Sequence, residues 1–403
     1  MSKNVPEVRF DGFIGEWEEK FLGNEVEFYS GLTYSPEDIV TKNGTLVLRS
    51  SNVKNGEIID ADNVYVNPSK VNSQKVKQGD VIVVVRNGSR KLIGKHATVK
   101  KNLDNTVIGA FMTGIRSENS NFTNALLDTT QFAIEINKNL GATINQITTG
   151  NFKKMKFFFP SNKEQQKIGT FFKQLDDTIA LQQQLVEQQQ QYKKAMLQKM
   201  FPQKGERVPK VRFKGFCGDW ENQKINNLVT PVVREVPKPT YSYKRLSVRS
   251  HAKGTFHQIV EDPSTIAMDK LYVIKENDLV VNITFAWEHA IAVAKKEDAD
   301  LLVSHRFPTF IIDKSDINFI QQLVSKEDFR RKLDLISPGG AGRNRVLNKK
   351  DFLSLNVLVP KHIEEQQKIG TFFKQLDDTI TLHEKKLEDY QQLKKALLKR
   401  MFV

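Results

Sequence analysis

The chain has 403 residues, 39% of them hydrophobic, which is enough for ordinary packed cores in two or three domains. Its 61 Lys and Arg outnumber its 47 Asp and Glu, and the formal net charge of +14 favours a polyanionic partner such as nucleic acid, although a merely basic surface has the same charge. A single cysteine, Cys217, excludes an intrachain disulfide, and the polar opening and short apolar runs predict a cytoplasmic protein with no membrane partner.

The first half begins with a globular part of mixed helix and strand character. Residues 80–86 form an apolar, β-rich run, and residues 92–99 offer a second strand. Asn87-Gly88 between them predicts a β-hairpin, because both residues tolerate the positive φ of a type I′ turn. A short helix is predicted near residues 119–127.

A long helix is predicted for residues 163–200. Gly169 is the one glycine within them, and Pro160 and Pro202 mark the two ends. At 1.5 Å per residue, such a helix is roughly 55 Å long. Its apolar side chains recur at the alternating spacing of four and three that is typical of a coiled coil. They are Ile168, Phe172, Leu175, Ile179, Val186, Met196 and Met200.

The second half has the same order of parts. Residues 279–285 and 290–294 are apolar runs around residues 286–289, and a short helix is predicted at residues 325–335. The helix that follows has its own apolar seam of Ile369, Phe373, Leu376, Ile380, Leu387, Leu397 and Met401. Two interpretations of the seams stay open: each helix packs on its own domain, or the two helices pack on each other.

Three segments of the first half return in the second half in the same order. Residues 164–179 and 365–380 share the identical sequence EQQKIGTFFKQLDDTI. The other two pairs are 193–201 (KKAMLQKMF) with 394–402 (KKALLKRMF), and 5–19 (VPEVRFDGFIGEWEE) with 208–222 (VPKVRFKGFCGDWEN). Elsewhere the halves differ at most positions, so one repeated scaffold carries two globular parts of different sequence.

The repeat predicts an α+β fold with a pseudo-two-fold internal repeat. In it, two globular domains of mixed α and β structure are joined by two long antiparallel coiled-coil helices. The predicted parts are a first domain (1–160), a first helix (161–201), a linker (202–207), a second domain (208–360) and a second helix (361–403).

No motif in the sequence predicts catalysis or a bound metal. The seven histidines lack metal-binding spacing, and residues 88–96 depart from a phosphate-binding loop in their glycine spacing and in ending on His96. The Asn/Asp-Pro-Pro-Tyr/Phe tetrad of amino-methyltransferases is missing. The paired aspartates at 176–177 and 377–378 lie on the predicted helices, where solvated or partner-facing charges are expected. We therefore predict a non-catalytic chain.

The repeated motifs resemble a known family. The paired VPxVRFxGFxGxW openings, and the two EQQKIGTFFKQLDDTI helix starts after Phe159-Pro160 and Val359-Pro360, are similar to those of specificity subunits of type I restriction–modification enzymes. The resemblance covers essentially the whole chain. It implies that each variable domain is a target-recognition domain that reads one half of a split site in double-stranded DNA, while the helices fix the unread spacer.

The resemblance also implies the partners of the chain. The repeated segments are expected to dock two methyltransferase (M) subunits, and restriction/translocase (R) subunits join that core. The chain itself is expected to bind no cofactor, because S-adenosylmethionine, ATP and Mg²⁺ belong to the partner subunits. Methylation by the partner is expected to produce N6-methyladenine.

Three segments of the first domain carry side chains suited to DNA. They contain Arg49, Ser51, Asn52 and Lys54 in the first, Arg86, Asn87, Ser89, Arg90 and Lys91 at the hairpin tip, and Asn145 in the third. For any one residue of the hairpin tip, an exposed basic turn is the alternative. Because Arg49 recurs as Arg249, a phosphate-binding or structural role is predicted for both.

The second domain offers corresponding segments. They contain Arg249, His251 and Lys253, then Trp287 and His289, and finally Arg343, Asn344 and Arg345 in a glycine-rich loop. Trp287 is predicted either to stack on DNA or to cap the core. The loop at 337–345 corresponds to residues 139–150, with Asn145 aligned to Arg345, and both loops are predicted to face DNA.

Two other accounts compete with DNA recognition. A non-catalytic coiled-coil scaffold explains the helices, but it explains neither the basic excess nor two divergent domains on one frame. An autonomous enzyme requires a catalytic motif that the sequence lacks. The sequence therefore favours a subunit that selects DNA sites for separate catalytic chains.

Overall fold

The computed structural model describes residues 4–140, 145–337 and 345–403. It divides into two compact units, Met1–Gln184 with Glu384–Val403, and Leu185–His383. Each unit thus contains one globular domain together with parts of both long helices. Within the described residues, no helix is long and apolar enough to cross a membrane.

The first unit has mixed α and β structure. Its strands are β1 (Glu18–Phe21), β2 (Glu27–Ser30), β3 (Thr45–Leu48), β4 (Val53–Lys54), β5 (Glu57–Ile58), β6 (Val64–Val66), β7 (Val81–Val84), β8 (His96–Thr98), β9 (Thr106–Ile108), β10 (Met112–Arg116) and β11 (Lys156–Phe159). Its helices are α1 (Leu22–Glu25), α2 (Ser120–Leu127), α3 (Thr130–Asn139) and α4 (Thr149–Lys154), and the long helix α5 (Asn162–Met200) begins in this unit. One sheet has the order β2-β10-β7-β8, and another has the order β6-β3-β9.

The predicted hairpin of the first unit is confirmed, but its turn is not. Strands β7 and β8 pair antiparallel, and all four residues of β7 are buried, which accounts for the apolar run. The predicted type I′ turn is wrong, because neither Asn87 nor Gly88 has a positive φ. A longer loop joins the strands instead. Its backbone is hydrogen-bonded to a distant segment of the chain, because the Asn87 amide donates to the Asn145 carbonyl (3.3 Å).

The second unit has the same kinds of element. Its strands are β12 (Glu221–Lys224), β13 (Thr230–Val232), β14 (Glu235–Pro237), β15 (Tyr243–Val248), β16 (Thr255–Val260), β17 (Lys270–Val273), β18 (Asp278–Val281), β19 (Ile291–Val293), β20 (Leu302–Val303), β21 (Thr309–Ile311) and β22 (Asn356–Val359). Its helices are α6 (Ile317–Val324), α7 (Glu327–Leu335) and α8 (Lys349–Leu353), and the long helix α9 (Ile363–Met401) begins here. The sheets have the orders β13-β21-β18-β19 and β14-β17-β20-β15-β16.

Several short elements confirm the predictions, and others were not predicted. Strands β18 and β19 pair around residues 286–289, and α2 and α7 lie within the two predicted helical segments. Helices α3 and α6 were missed. In α3 the buried face consists of Phe132 and Ile136 alone, while Ile134 on the same ten-residue helix is exposed, so its apolar pattern does not follow the helical period.

Both predicted long helices are confirmed, and their seams pack in both of the proposed ways. In the first unit, Phe172 of α5 is buried in the core of its own domain, and its ring centroid lies 6.0 Å from that of Phe402, after the end of α9. In the second unit, Phe373 of α9 lies 6.3 Å from Phe201, after the end of α5. The start of each helix therefore packs on its own domain and on the end of the other helix.

Most of the predicted seam is buried, with one local shift. The buried members are Ile168, Phe172, Val186, Met200, Ile369, Phe373, Ile380 and Met401, whereas Leu175, Ile179, Met196, Leu376 and Leu387 are half-buried. Near the end of α9, Leu398 is buried and the predicted Leu397 is only half-buried. The seam is therefore correct along most of its length and displaced by one residue in that turn.

A buried ion pair fastens each repeated opening to the start of the helix after its domain. Arg9 contacts the two carboxylate oxygens of Glu164 at 2.7 and 2.8 Å, and Arg212 contacts those of Glu365 at the same distances. Each arginine also donates Nη1 to a carbonyl of the adjoining GFxG turn at 2.6 Å. The openings and helix starts recur together because they are two parts of one buried contact.

A lysine near the end of α9 holds two carboxylates in the first unit. Lys394 Nζ lies 2.5 Å from Asp128, which follows α2, and 2.5 Å from Asp176 of α5. Asp128 also faces the buried His96 of β8 at 3.3 Å. Burial by itself raises the pKa of Asp128, but hydrogen bonds and charges from His96 and Lys394 outweigh it and lower that pKa to about 2. The carboxylate is therefore ionised at neutral pH.

The second unit repeats part of this arrangement. Lys193 of α5 lies 2.5 Å from Asp377 of α9, and Gln322 of α6 donates to the same carboxylate at 3.1 Å. The prediction of solvated or partner-facing aspartates is therefore wrong for Asp176 and Asp377, because an intrachain cation faces each of them.

Gly169 lies where α5 meets the start of α2. A Cβ at this position would lie 2.6 Å from the backbone nitrogen of Phe122. Alanine normally stabilises a helix interior relative to glycine by about 0.5–1 kcal/mol. Here we expect Gly169→Ala to lower the free energy of unfolding by about 1–3 kcal/mol, the usual cost of overpacking. Urea denaturation measures the change.

Gly150→Ala in α4 is the matched control. A Cβ at Gly150 would have its nearest neighbour at 3.7 Å, an ordinary contact. We expect this variant to be as stable as the wild type or slightly more stable. Equal destabilisation by both substitutions would contradict the close-approach explanation for Gly169.

Candidate nucleic-acid interface

Three segments of the first unit that are distant in sequence meet around the loop between β7 and β8. Asn87 donates its side-chain amide to Ser50 Oγ (3.1 Å), which joins the loop to the segment that follows β3. Asn145 donates its amide to the Gly88 carbonyl (3.1 Å), which joins the third segment. The three runs predicted to face DNA are therefore neighbours in the folded unit.

Cationic and polar side chains of these segments are open to solvent. The guanidinium of Arg86 lies 4.9 Å from the centre of the Phe111 ring, and Phe111 is 51% exposed. The exposed candidates are Ser51, Lys54, Arg86, Ser89, Arg90 and Lys91. Cations beside amides and an exposed ring can contact phosphates and the edges of bases.

Two predicted DNA-facing residues of the first unit serve the fold. Asn52 is fully buried, and its side chain donates to the Ala61 carbonyl (2.6 Å) and accepts from the Arg49 amide (2.9 Å). Its predicted contact with DNA is therefore corrected, because the side chain faces inward. Arg49 is half-buried and pairs with Asp62 at 2.6 Å, which fits the structural role predicted as an alternative.

In the second unit, the segment that follows β15 contacts the loop between β18 and β19. Ser250 donates its hydroxyl to Glu288 Oε2 (2.7 Å), where Ser50 and Asn87 meet in the first unit. The His251 amide donates to the Glu288 carbonyl (2.8 Å), so backbone and side chain both hold the two segments together. In both units the segment after the matched Arg-Ser therefore contacts the hairpin loop, but through residues at different places in that loop: Asn87 follows Val85 by two residues, whereas Glu288 follows the corresponding Ile283 by five.

Arg345 connects the third segment of the second unit to the loop between β18 and β19. Its guanidinium lies 5.2 Å from the centre of the Trp287 ring. It also donates to the Asp334 carboxylate (2.6 Å) and to the Ser337 carbonyl (3.0 Å). With its donors engaged in this way, Arg345 supports the half-buried Trp287 from within the unit.

Other candidates of the second unit are exposed. Arg249, His251 and Lys253 lie on the turn between β15 and β16 and are open to solvent. Arg249 also lies over the ring of Phe256, 4.9 Å from its centre. Arg343 and Asn344 lie outside the described residues.

The predicted contact of His289 with DNA is corrected by its burial. The side chain is 3% exposed, and its Nε2 lies 2.6 Å from the Val324 carbonyl, to which it must donate. Burial lowers the pKa of His289, so the ring is neutral at neutral pH. His289 therefore fixes the loop against the end of α6.

Three residues of these surfaces were not predicted from the sequence. Phe111 is an exposed ring beside Arg86, Phe285 is an exposed ring within the loop between β18 and β19, and Glu288 is the partner of Ser250. The recurrence of Arg-Ser after β3 and β15 marks Ser50 and Ser250 as matching positions. What each serine contacts, however, depends on a loop far away in the sequence.

The described part of the chain contains no group of three or more His, Cys, Asp or Glu side chains that could hold a metal ion. In the loop between β18 and β19, His289 and Glu288 are instead hydrogen-bonded to other residues of the protein.

Two divergent domains on a repeated helical frame, each with a matched polar surface, define a modular recognition protein. Residues 14–189 and 240–391 match the model of the type I restriction modification DNA specificity domain. These ranges cover most of the chain, which therefore belongs to that family.

Named relatives and a solved structure agree with this assignment. The chain is 27% identical over 179 residues to the type I restriction enzyme StySPI specificity subunit of Salmonella potsdam, and 28% identical over 179 residues to the EcoKI specificity subunit of Escherichia coli K12. Each match covers 41% of this chain and 38% of the relative's length. The fold resembles the crystal structure of the S subunit from M. genitalium, with a TM-score of 0.63, 12% identity and 99% of both chains covered.

Proposed function

We propose that this chain is the DNA sequence-specificity subunit of a type I restriction–modification complex, and that each domain reads one half of a bipartite site in double-stranded DNA. The observation that carries the proposal is the three-segment surface present in both units. In both units the residue after the matched arginine, Ser50 or Ser250, contacts the hairpin loop, but through a different side chain. Two surfaces of this kind are suited to two different half-sites.

The chemistry of the matched positions supports reading of bases. Where Ser50 meets an amide, Asn87, in the first unit, Ser250 meets a carboxylate, Glu288, in the second. Side chains at such positions select bases through hydrogen bonds in the grooves, while surrounding cations bind phosphates independently of sequence. A coiled-coil scaffold needs no such pair of surfaces, and this alternative is not favoured.

The repeated helices are suited to dock two methyltransferase subunits and to set the spacer. Packing within each unit explains the identity of buried repeated residues such as Phe172 and Phe373. It does not explain the exposed residues that are also identical. These are Gln166, Lys167, Thr170, Lys173, Gln174 and Thr178, which recur as Gln367, Lys368, Thr371, Lys374, Gln375 and Thr379. Two identical exposed faces fit two copies of one partner.

Catalysis belongs, in this proposal, to the partner subunits. The methyltransferase subunits supply S-adenosylmethionine chemistry, and restriction/translocase subunits supply the chemistry that depends on ATP and Mg²⁺. This chain selects the site, in the cytoplasm, and binds no cofactor of its own.

Genome-wide detection of methylated adenine tests the proposal. Cells that express this chain with its cognate methyltransferase subunit are compared with cells that lack the chain. We expect new methylation at one bipartite motif, two short defined halves around an undefined gap. No new methylation from a complex that assembles would overturn the proposal.

A further inference from the structure

We propose that Glu288 determines base specificity in the second unit. Its carboxylate accepts a hydrogen bond from an exocyclic amino group in the major groove, N6 of adenine or N4 of cytosine. This inference rests on the proposed function, because it assigns one residue to one half of the bipartite target.

The loop between β18 and β19 holds Glu288 firmly. The residue ends a short 3₁₀ helix, Ala286–Glu288, and is half-buried. Its Oε2 accepts the Ser250 hydroxyl at 2.7 Å, and its backbone carbonyl accepts the His251 amide at 2.8 Å. Among the described residues, no donor contacts Oε1. One oxygen of a positioned carboxylate is thus left for a partner.

The surroundings of Glu288 are cationic and therefore compatible with DNA. Arg249 and Lys253 are exposed on the turn that Ser250 and His251 connect to the loop. They can bind phosphates, which carry no sequence information. A carboxylate beside phosphates is repelled by them, so its approach to DNA is favourable only if it gains a specific hydrogen bond from a base.

The carboxylate restricts the bases that can be read. An ionised carboxylate only accepts hydrogen bonds, whereas the amide of Asn87, which meets Ser50 in the first unit, donates to Ser50 Oγ and accepts from the Ser89 amide at 3.0 Å. In the major groove, adenine and cytosine present an amino donor where thymine and guanine present an oxygen acceptor. Glu288 therefore favours adenine or cytosine at one position and repels guanine or thymine there. Asn87 imposes no such restriction on the first half-site.

Competition binding with Glu288→Gln tests this inference. The full chain, assembled with its cognate methyltransferase subunits, is presented with duplexes that carry its bipartite site and every single-base substitution. Exchange of residues 208–360 for a relative's domain first identifies the half-site read by the second unit. We expect the wild type to require adenine or cytosine at one position of that half-site. Glu288→Gln should lower this discrimination about 5- to 150-fold, the range that a good base contact supplies.

Glutamine has the shape of glutamate and keeps an acceptor for Ser250, so the loop is expected to remain folded. Co-purification with the methyltransferase subunits and unchanged affinity for the other half-site verify this. Glu297→Gln removes the same charge from a side chain that is 65% exposed and pairs with Lys295, and it should leave the motif unchanged.

Asn87→Asp provides a second, independent test in the first unit. It converts the amide that meets Ser50 into a carboxylate, one oxygen of which keeps the hydrogen bond from the Ser89 amide. We expect it to restrict one position of the first half-site to adenine or cytosine. Two outcomes would overturn this inference alone. Either Glu288→Gln keeps the wild-type discrimination between bases, or it changes the discrimination in the other half-site. A wild-type complex with no bipartite preference would instead overturn the proposed function.

Discussion

Replacing Glu365 with alanine is expected to lower the free energy of unfolding by about 3 to 5 kcal/mol, because it leaves a buried charge without its partner. Glu365 is fully buried, and the Arg212 side chain that contacts it at 2.7 Å is 11% exposed. The lost contact also releases the second repeated opening, residues 208–222, from the start of α9. Urea denaturation followed by fluorescence measures the change, since Trp220 is buried in the same unit.

Asp378→Ala is the matched control on the same helix. Asp378 pairs with Lys374 at 2.6 Å, but its side chain is 64% exposed. An exposed pair at this spacing contributes about 0.3–0.5 kcal/mol, so this variant should resemble the wild type. A similar loss in both variants would show that burial of the Arg212–Glu365 pair is not the source of its effect.

Lys394→Ala is expected to have the second largest effect, a loss of about 2 to 3 kcal/mol. This is less than the 3–5 kcal/mol typical of a fully buried pair, because the three groups keep some contact with water. The ammonium is 17% exposed and faces Asp128 and Asp176, both at 2.5 Å. Its removal leaves Asp176 without its ion-pair partner and leaves Asp128 with His96 alone. Thermal unfolding of the purified chain measures the loss.

Lys395→Ala removes the same side chain from the next position of α9, where it is exposed. We expect little change in stability from this control. If the two alanine variants unfolded at the same temperature, the network around Lys394 would not stabilise the fold.

The long helices and the repeat could be predicted because their signals are local. A helix of many turns repeats its apolar spacing often enough to be recognised, and Pro160 and Pro202 limit it on both sides. Helix α3 could not be recognised in this way, because it is only ten residues long and just two of its apolar residues are buried. The one-residue shift at Leu398 has a tertiary cause, because the end of α9 packs on the first domain as well as on α5.

The candidate interface could be predicted as a set of segments, but not residue by residue. Asn52 and His289 are polar and lie in the right loops, yet both side chains turn inward to hold those loops. Conversely, Glu288 is acidic, and the DNA phosphates repel a carboxylate, so its charge does not point to a surface for DNA. Composition identifies which loops can contact DNA, while the direction of each side chain depends on what packs beneath the loop.

The two-part organisation, the long helices and the family can be recognised in the amino-acid sequence alone, because repetition and periodicity are properties of the chain order. Which distant residues share a contact depends on the folded structure. Arg212 and Glu365 are 153 residues apart, and Asn87 and Ser50 are 37 apart, yet each pair forms one hydrogen-bonded contact. Such contacts depend on the packing of the whole unit, since a buried polar group must find a partner wherever the fold provides one.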